Sequence, residues 1–258
     1  MRTIRAWVLP LLMRRPALYR AALRLKGTLT AELRTFTRLV RAGDVVFDIG
    51  ANRGAFTVLF SRIVGPTGTV YAFEPVPPTF ARLSERVTAE GAVGNTRLVP
   101  SAASDRPGQF TIYMPGDDDG QASLARHATG SWAGGQVHEY TCTAVRLDDY
   151  IAESGLNRLD FVKCDVEGAE LLALRGLEKA VARWKPSLYI EMNPDWIKGF
   201  GYTARNLLDF LRAAGYESVF HVSNAAPYPV PLTEAEFGRL GGYSNLLCVS
   251  PARIPCAF

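Results

Sequence analysis

The stretch from Val45 to Pro75, VVFDIGANRGAFTVLFSRIVGPTGTVYAFEP, limits this chain to very few folds. Val45, Val46 and Phe47 form a short run of β-branched and aromatic residues, which predicts a buried strand. Asp48-Ile49-Gly50-Ala51-Asn52-Arg53-Gly54 follows as a tight glycine-bearing turn. Ala55, Phe56, Val58, Leu59, Ile63 and Val64 then recur at helical spacing, until Gly65-Pro66-Thr67-Gly68 stops the helix. Thr69 to Phe73 reads as a second strand that ends on Glu74. Strand, glycine turn, helix, strand and acid make up one βαβ half of a nucleotide-binding α/β sheet.

The residue types say what such a turn can hold. Gly50 and Gly54 let the backbone approach a ligand where a side chain would clash. Glu74 stands where a ribose presents two hydroxyls, and a carboxylate can accept from both. The glycines run G-x-x-x-G with Asp48 before them, not the G-x-G-x-x-G that cradles a pyrophosphate. An anion there repels phosphate and favours a cation. S-adenosylmethionine, with a ribose, a sulfonium, an ammonium and no phosphate, fits that charge pattern better than a dinucleotide.

The second chemical stretch is LDFVKCDVEGAE, Leu159 to Glu170. Leu159 to Cys164 predicts a strand, Gly168 a sharp turn, and Leu171, Leu172, Leu174 and Leu177 a helix. Asp165, Glu167 and Glu170 therefore cluster at a strand's carboxyl end, where open α/β sheets bind ligands. Ser187 to Ile190 predicts a further strand ending on Glu191. If the two strands are neighbours, Asp165 and Glu191 face one cleft, with backbones about 4.8 Å apart. Such a pair can share a proton, bind a cation or divide roles, unless Lys163 neutralises one member.

Elsewhere the chain is less specific. Thr96 to Val99 predicts a third strand, and Ser101-Ala102-Ala103-Ser104 its exit, where small residues either let an adenine lie flat or form a plain loop. Residues 105–147 depart from the βα rhythm: Phe110, Ile112 and Met114 alternate as a strand, and His138 to Leu147 predicts another. The Gly-, Ala- and Asp-rich loop between them is long enough to cover a substrate. Its Asp117-Asp118-Asp119-Gly120 lacks the spacing of a calcium loop and reads as a solvated turn. Residues 1–31 hold seven basic residues, among them Arg20 and Arg24, and no acid. That segment could lie on an anionic membrane surface, serve as a targeting peptide, or pack as a helical cap. Net charge +4 is too weak to argue a nucleic-acid partner. Four cysteines without a C-x-x-C pair, and no run near the ~20 apolar residues of a membrane span, indicate a reducing, cytoplasmic setting, with peripheral membrane contact through residues 1–26 left open.

DIGANRG, AFEPVP and KCDVEGAE, in that order, resemble the FkbM-type S-adenosylmethionine-dependent methyltransferases over Asp44 to Val249. The resemblance implies a seven-stranded, mostly parallel Rossmann-like sheet with helices on both faces and a last strand, about Asn245 to Ser250, that runs antiparallel. Residues 44–258 would form that domain, with 105–147 as a β insertion and 1–43 as a basic helical extension. Asp48, Gly50, Asn52 and Gly54, with Ala51, Phe56 and Asp165 beside them, would surround the methionine part of the cofactor. Glu74 would meet the ribose, and Ser101 and Ala102 the adenine. The reaction implied is O-methylation of a sugar, glycan or natural-product hydroxyl. Asp165 or Glu191 would take the proton, with His221, at the end of a strand over Ser218–Val222, as a third candidate. A magnesium ion between Asp165 and Glu191 could instead lower the hydroxyl pKa, but no third oxygen ligand is evident, so no metal site is assigned. Asn193-Pro194-Asp195-Trp196 follows the fifth strand, not the fourth where amine methyltransferases carry a similar motif; it reads as a pocket-lining turn whose Trp196 could stack on a sugar or ring. Two other classes fit the residues less well. A nicotinamide-dependent oxidoreductase would need different glycine spacing and a Y-x-x-x-K pair, which is absent. A non-catalytic membrane- or glycan-binding protein would not need the acids at 48, 74, 165 and 191.

Overall fold

The computed structural model describes residues 12–133 and 135–253. Residues 1–11 of the basic segment considered for membrane contact lie outside them. The chain enters through two helices, α1 (Pro16–Leu25) and α2 (Ala31–Leu39), the second capped by the Thr30 hydroxyl, which accepts from the Leu33 amide. Strand β1 (Val45–Ile49), helix α3 (Ala55–Val64) and strand β2 (Thr69–Phe73) then form the expected βαβ unit, and α4 (Pro77–Ala89) leads to β3 (Thr96–Val99). β1, β2 and β3 are parallel neighbours, and the chain returns to the far side of β1 with β7 (Phe161–Cys164) and β8 (Ser187–Met192). The topological switch therefore falls beside β1, where the carboxyl ends of its neighbouring strands leave a crevice.

Between β3 and β7 the chain builds a separate three-stranded sheet from β4 (Ser101–Ser104), β5 (Gly108–Pro115) and β6 (Val137–Arg146), in the order β4-β6-β5. The Ser101–Ser104 segment is thus not a loop. It pairs in parallel with Thr143–Arg146, and all four residues are buried. Four small side chains carry no strand period, so the sequence pattern could not show it. Val76, just past Glu74, packs against Ala102, Ile112, Met114, Cys142 and Ala144, which docks this sheet beside the crevice. Helix α5 (Leu147–Glu153) closes the insertion.

Helices α6 (Glu170–Gly176) and α7 (Glu178–Trp184) separate β7 from β8, and α8 (Ala204–Ala213) precedes the last strands. These are β9 (Phe220–Val222), β10 (Val230–Pro231) and, after the single-turn α9 (Glu234–Phe237), β11 (Ser244–Cys248). β11 runs antiparallel to both β8 and β9, as expected for the final strand. The large sheet has eight strands, not seven, in the order β10-β9-β11-β8-β7-β1-β2-β3. The extra member is the two-residue β10, too short for any sequence period to show.

Alternation along the strands sends residues to two cores. Phe47, Ile49, Val162, Cys164 and Ile190 pack beneath α6, α7 and α8. Val46, Val70, Phe161, Tyr189 and Leu247 face α2 and α3 on the other side. Phe36 of α2 stands at the centre of the second core, edge-on to Phe56, Phe60, Phe161 and Tyr189 with ring centroids 4.7–5.8 Å away. The N-terminal helices thus supply core, and among the described residues no helix is long and apolar enough to cross a membrane.

Candidate active site

Gly50 and the turn after β1 carry the cleft. Gly50 adopts φ +76°, and a Cβ there would sit 1.8 Å from the Asp165 carbonyl oxygen. The glycine is required because the ends of β1 and β7 meet backbone to backbone. Gly54, at φ +78°, yields to the Leu83 side chain rather than to a ligand. Asn52 also has positive φ, at 48°, and its amide donates to Glu74 Oε2 at 2.9 Å. The Val76 amide donates to Glu74 Oε1 at 2.9 Å. Two donors fix this carboxylate, yet burial still raises its pKa to about 7.

The cleft encloses about 610 Å³, open solvent at its mouth included. Gly50, Asn52, Glu74, Ser101, Ala102 and Asp165 all line it. Asp48, Ala51, Gly54 and Phe56 do not. Ala51 packs against Val58 and Leu83, and Phe56 sits edge-on to Phe36 in the core. Asp48 is fully buried behind the turn, where its Oδ2 accepts from the Thr57 hydroxyl at 2.6 Å. Burial raises its pKa, against the opposing pull of Lys163, whose ammonium lies 3.8 Å from Oδ1. Lys163 also pairs with Asp165 Oδ2 at 2.9 Å and donates to the Gly50 carbonyl at 3.2 Å. The anion facing a ligand is therefore not Asp48. The acidic side chains at the cleft surface are instead Glu74, Asp119, Asp165 and Glu167, and among the described residues no Lys or Arg lines it.

Asp119 corrects the reading of its loop as a solvated turn. It is 9% exposed. Its Oδ2 accepts from Arg53 Nε at 2.8 Å, Arg82 Nη1 at 3.2 Å and the Thr79 hydroxyl at 3.3 Å, and its carbonyl accepts from Asn52 Nδ2 at 3.0 Å. Each arginine is half exposed, so each ion pair alone is worth little, about 0–1 kcal/mol. Together they pin the loop over the cofactor turn. Nothing in the DDDG string distinguishes the anchored aspartate from its neighbours, because its partners lie 37–67 residues away.

Asp165, Glu167 and Glu191 bring ligand-capable oxygens within 4.8 Å of one another. The sequence placed Glu191 opposite Asp165, and β7 and β8 are indeed parallel neighbours. Glu167 joins them through a positive φ of 54°. Burial and the neighbouring carboxylates raise Glu167 to about 10 and Glu191 to about 8. Glu170, by contrast, turns inward. It accepts from the Val166 and Gly168 amides and the Tyr202 hydroxyl, and serves the turn. His221 does not reach this group. It pairs with Leu246 of β11, which in turn pairs with Ile190, so its backbone lies two strand spacings from β8, about 10 Å.

A further wall comes from the loop between β5 and β6. His127 stacks on Trp196, with centroids 4.3 Å apart and planes 10° apart, and meets Trp132 edge-on. Its Nε2 lies 3.0 Å from Ser123 Oγ and 3.1 Å from the Glu167 carbonyl, and burial lowers its pKa. The Ser123 hydroxyl donates to the same carbonyl at 2.7 Å. Trp196 is 2% exposed between His127 and Tyr243, so it cannot stack on a sugar or ring as expected. Tyr243, half exposed at the edge of that stack, is the aromatic left open. Neither His127 nor Tyr243 carries a motif, and only the fold brings them beside Glu167.

The sequence model of the methyltransferase FkbM domain matches residues 48–218. The chain is 35% identical over 164 residues to the 31-O-demethyl-FK506 methyltransferase FkbM of Streptomyces tacrolimicus, a match covering 55% of this chain and 62% of that protein. It is 29% identical over 184 residues to the 2-O-methyltransferase NoeI of Sinorhizobium fredii, covering 67% and 73%. The matched region is thus about three fifths of the Streptomyces protein's length. A crystal structure of methyltransferase FkbM from Methylobacillus flagellatus superposes with a TM-score of 0.47 at 16% identity, covering 95% of this chain and 59% of that one. With two thirds of its length matched by that domain, the chain belongs to the FkbM methyltransferase family.

Proposed function

We propose that this protein transfers the methyl group of S-adenosylmethionine to a hydroxyl of a sugar, glycan or natural product. The observation that carries the reading is the cleft itself: four acidic side chains and, among the described residues, no Lys or Arg line it, with Glu74 at the end of β2. That lining suits a positively charged sulfur compound and opposes a pyrophosphate. The relatives methylate oxygens by their names, one at position 31 of a demethyl-FK506 and one at a 2-O position.

When bound, the cofactor supplies an already activated methyl, and the protein's task is alignment and proton removal. Gly50, Asn52 and Glu74 form the cofactor end, and Asp165 and Glu167 connect it to Glu191. Glu191 is the base. A pKa near 8 lets it exist in part as a carboxylate at neutral pH and still accept the hydroxyl proton. Glu167, held mostly protonated, can donate a hydrogen bond to the acceptor. Lys163 keeps Asp165 paired and unavailable as a base.

A second reading rests on the same three acids. They offer the third oxygen that the sequence did not show, and hard oxygen donors so placed could hold a divalent cation that lowers the hydroxyl pKa. Isothermal titration with S-adenosylhomocysteine and with NAD, on the wild type and on Glu74→Ala, tests the cofactor. Heat with the first compound, lost in the variant, is expected; heat with NAD that Glu74→Ala abolishes, with none from the first compound, would overturn the proposal. Tritiated methyl transfer to lysate glycans and small molecules, with and without chelator, tests the acceptor and decides between the two readings.

A further inference from the structure

Away from the methyl-transfer cleft, α1 and α2 face each other across a cavity of about 550 Å³, open solvent at its mouth included, lined by Arg20, Arg24, Arg34 and Arg38, with Leu29 at the turn. None of these residues lines the cofactor cleft. The arrangement follows from the sequence: each helix carries two arginines four residues apart, so each pair stacks on one face. Among the described residues none of the four has a carboxylate within ion-pair distance. The segments outside the described structure, 1–11 and 254–258, contain no Asp or Glu either.

Two of the guanidiniums are held in place by the fold. Arg34 Nη2 donates to the Ala226 carbonyl at 2.9 Å and the Ser223 carbonyl at 3.4 Å, and Arg20 donates to the Thr37 carbonyl. Arg38 lies 4.9 Å from the Tyr228 ring centroid, and its Nη1 is buried without a hydrogen-bond partner. Arg24 is exposed at the rim. Burial lowers the pKa of Arg20, and the like charges of Arg38 and Arg24 lower it further. A surface arginine group would splay into water. This one converges, two members are fixed by backbone carbonyls, and one donor remains unmatched. That convergence of donors is the pattern of an anion site.

We infer that the α1–α2 cavity binds a phosphate group, as a phosphomonoester or a pyrophosphate. Four guanidiniums offer paired donors for several phosphate oxygens, and a doubly charged anion would relieve the repulsion that a carboxylate could only halve. The phosphate can belong to a soluble molecule or to a lipid headgroup. Leu18 and Leu25, 49% and 90% exposed on the same helix, would meet a bilayer's interface in the second case.

The test is titration of the full chain with inorganic pyrophosphate at constant ionic strength. One saturable site is expected, weakened about tenfold or more in Arg24→Gln and in Arg20→Gln and unchanged in Arg15→Gln, whose side chain lies outside the cavity. Arg24 has no protein partner to lose, so its variant keeps the fold. Sedimentation with phosphatidylcholine vesicles, with and without phosphatidic acid, distinguishes the sources. Capture by the acidic vesicles that Arg24→Gln abolishes assigns a lipid headgroup, and pyrophosphate binding without capture assigns a soluble phosphate. Absence of both, or equal weakening by all three variants, overturns the inference. Titration with S-adenosylhomocysteine is expected to be unchanged in every variant, so failure here leaves the methyl-transfer reading untouched.

Discussion

Replacing Lys163 with methionine should destabilise the protein strongly while leaving the core volume nearly intact. Lys163 and Asp48 are both buried, with 3.8 Å between Nζ and Oδ1. At an effective dielectric of about 20 that pair attracts by about 4 kcal/mol. Removing one partner of a buried pair costs about 3–5 kcal/mol, because the other charge is stranded. The contact with Asp165 adds less, since that carboxylate is 26% exposed and partly screened by water. A loss of about 4 kcal/mol lowers the melting temperature of a chain this size by roughly 8–16 °C. Urea denaturation of Lys163→Met, Asp48→Asn and the double variant measures the coupling. Asp48 also sets a pH signature. Burial raises its folded pKa above the unfolded value, so its contribution to stability is present at low pH and lost as pH rises through the folded pKa. Without Lys163 that pKa climbs further. The deficit of Lys163→Met should therefore shrink as pH falls from 8 towards the ordinary carboxylate range near 4. A deficit under about 1 kcal/mol, or one that grows towards acid, would refute a charge-compensating role for Lys163.

Other perturbations have equally definite outcomes. Glu191→Gln should cut kcat by about 10²–10⁴ with S-adenosylhomocysteine affinity unchanged, and should abolish the rise in wild-type kcat/KM through pH 8, measured by radiolabelled methyl transfer. Gly50→Ala should yield no folded protein by circular dichroism, because its Cβ falls 1.8 Å from the Asp165 carbonyl; Gly27→Ala, with similar φ but open space, should cost only about 1–2 kcal/mol. Phe36→Ala should cost about 3–5 kcal/mol in urea denaturation by emptying the centre of the second core.

Much of the architecture was legible because it is written locally. The βαβ unit around β1 follows from apolar period, glycine stops and a terminal acid, and the pairing of Asp165 with Glu191 follows from two strands ending on acids. What sequence could not show depends on distant partners. Asp48 looked like an anion facing a ligand, but it lies behind the turn because Thr57 and Lys163 hold it there. Asp119 looked solvated because Arg53, Thr79 and Arg82 precede it on other elements. Trp196 looked free because the ring that covers it, His127, arrives from a loop without period. His221 looked available because it ends a strand, but β11 inserts between β8 and β9 and separates it from the acids. Local chemistry reads out in the sequence, whereas the compensation of a buried charge or ring does not.

Phe36 lies twelve residues before the segment that matches the family domain, yet four aromatic rings of the sheet and α3 close around it. The unit that resembles its relatives is therefore shorter than the unit that folds. A fragment trimmed to start at Asp44 would keep every acid of the cleft and lose the wedge that keeps water from the underside of β1, β7 and β8. Its failure to bind a ligand would then report a missing keystone, not a missing site.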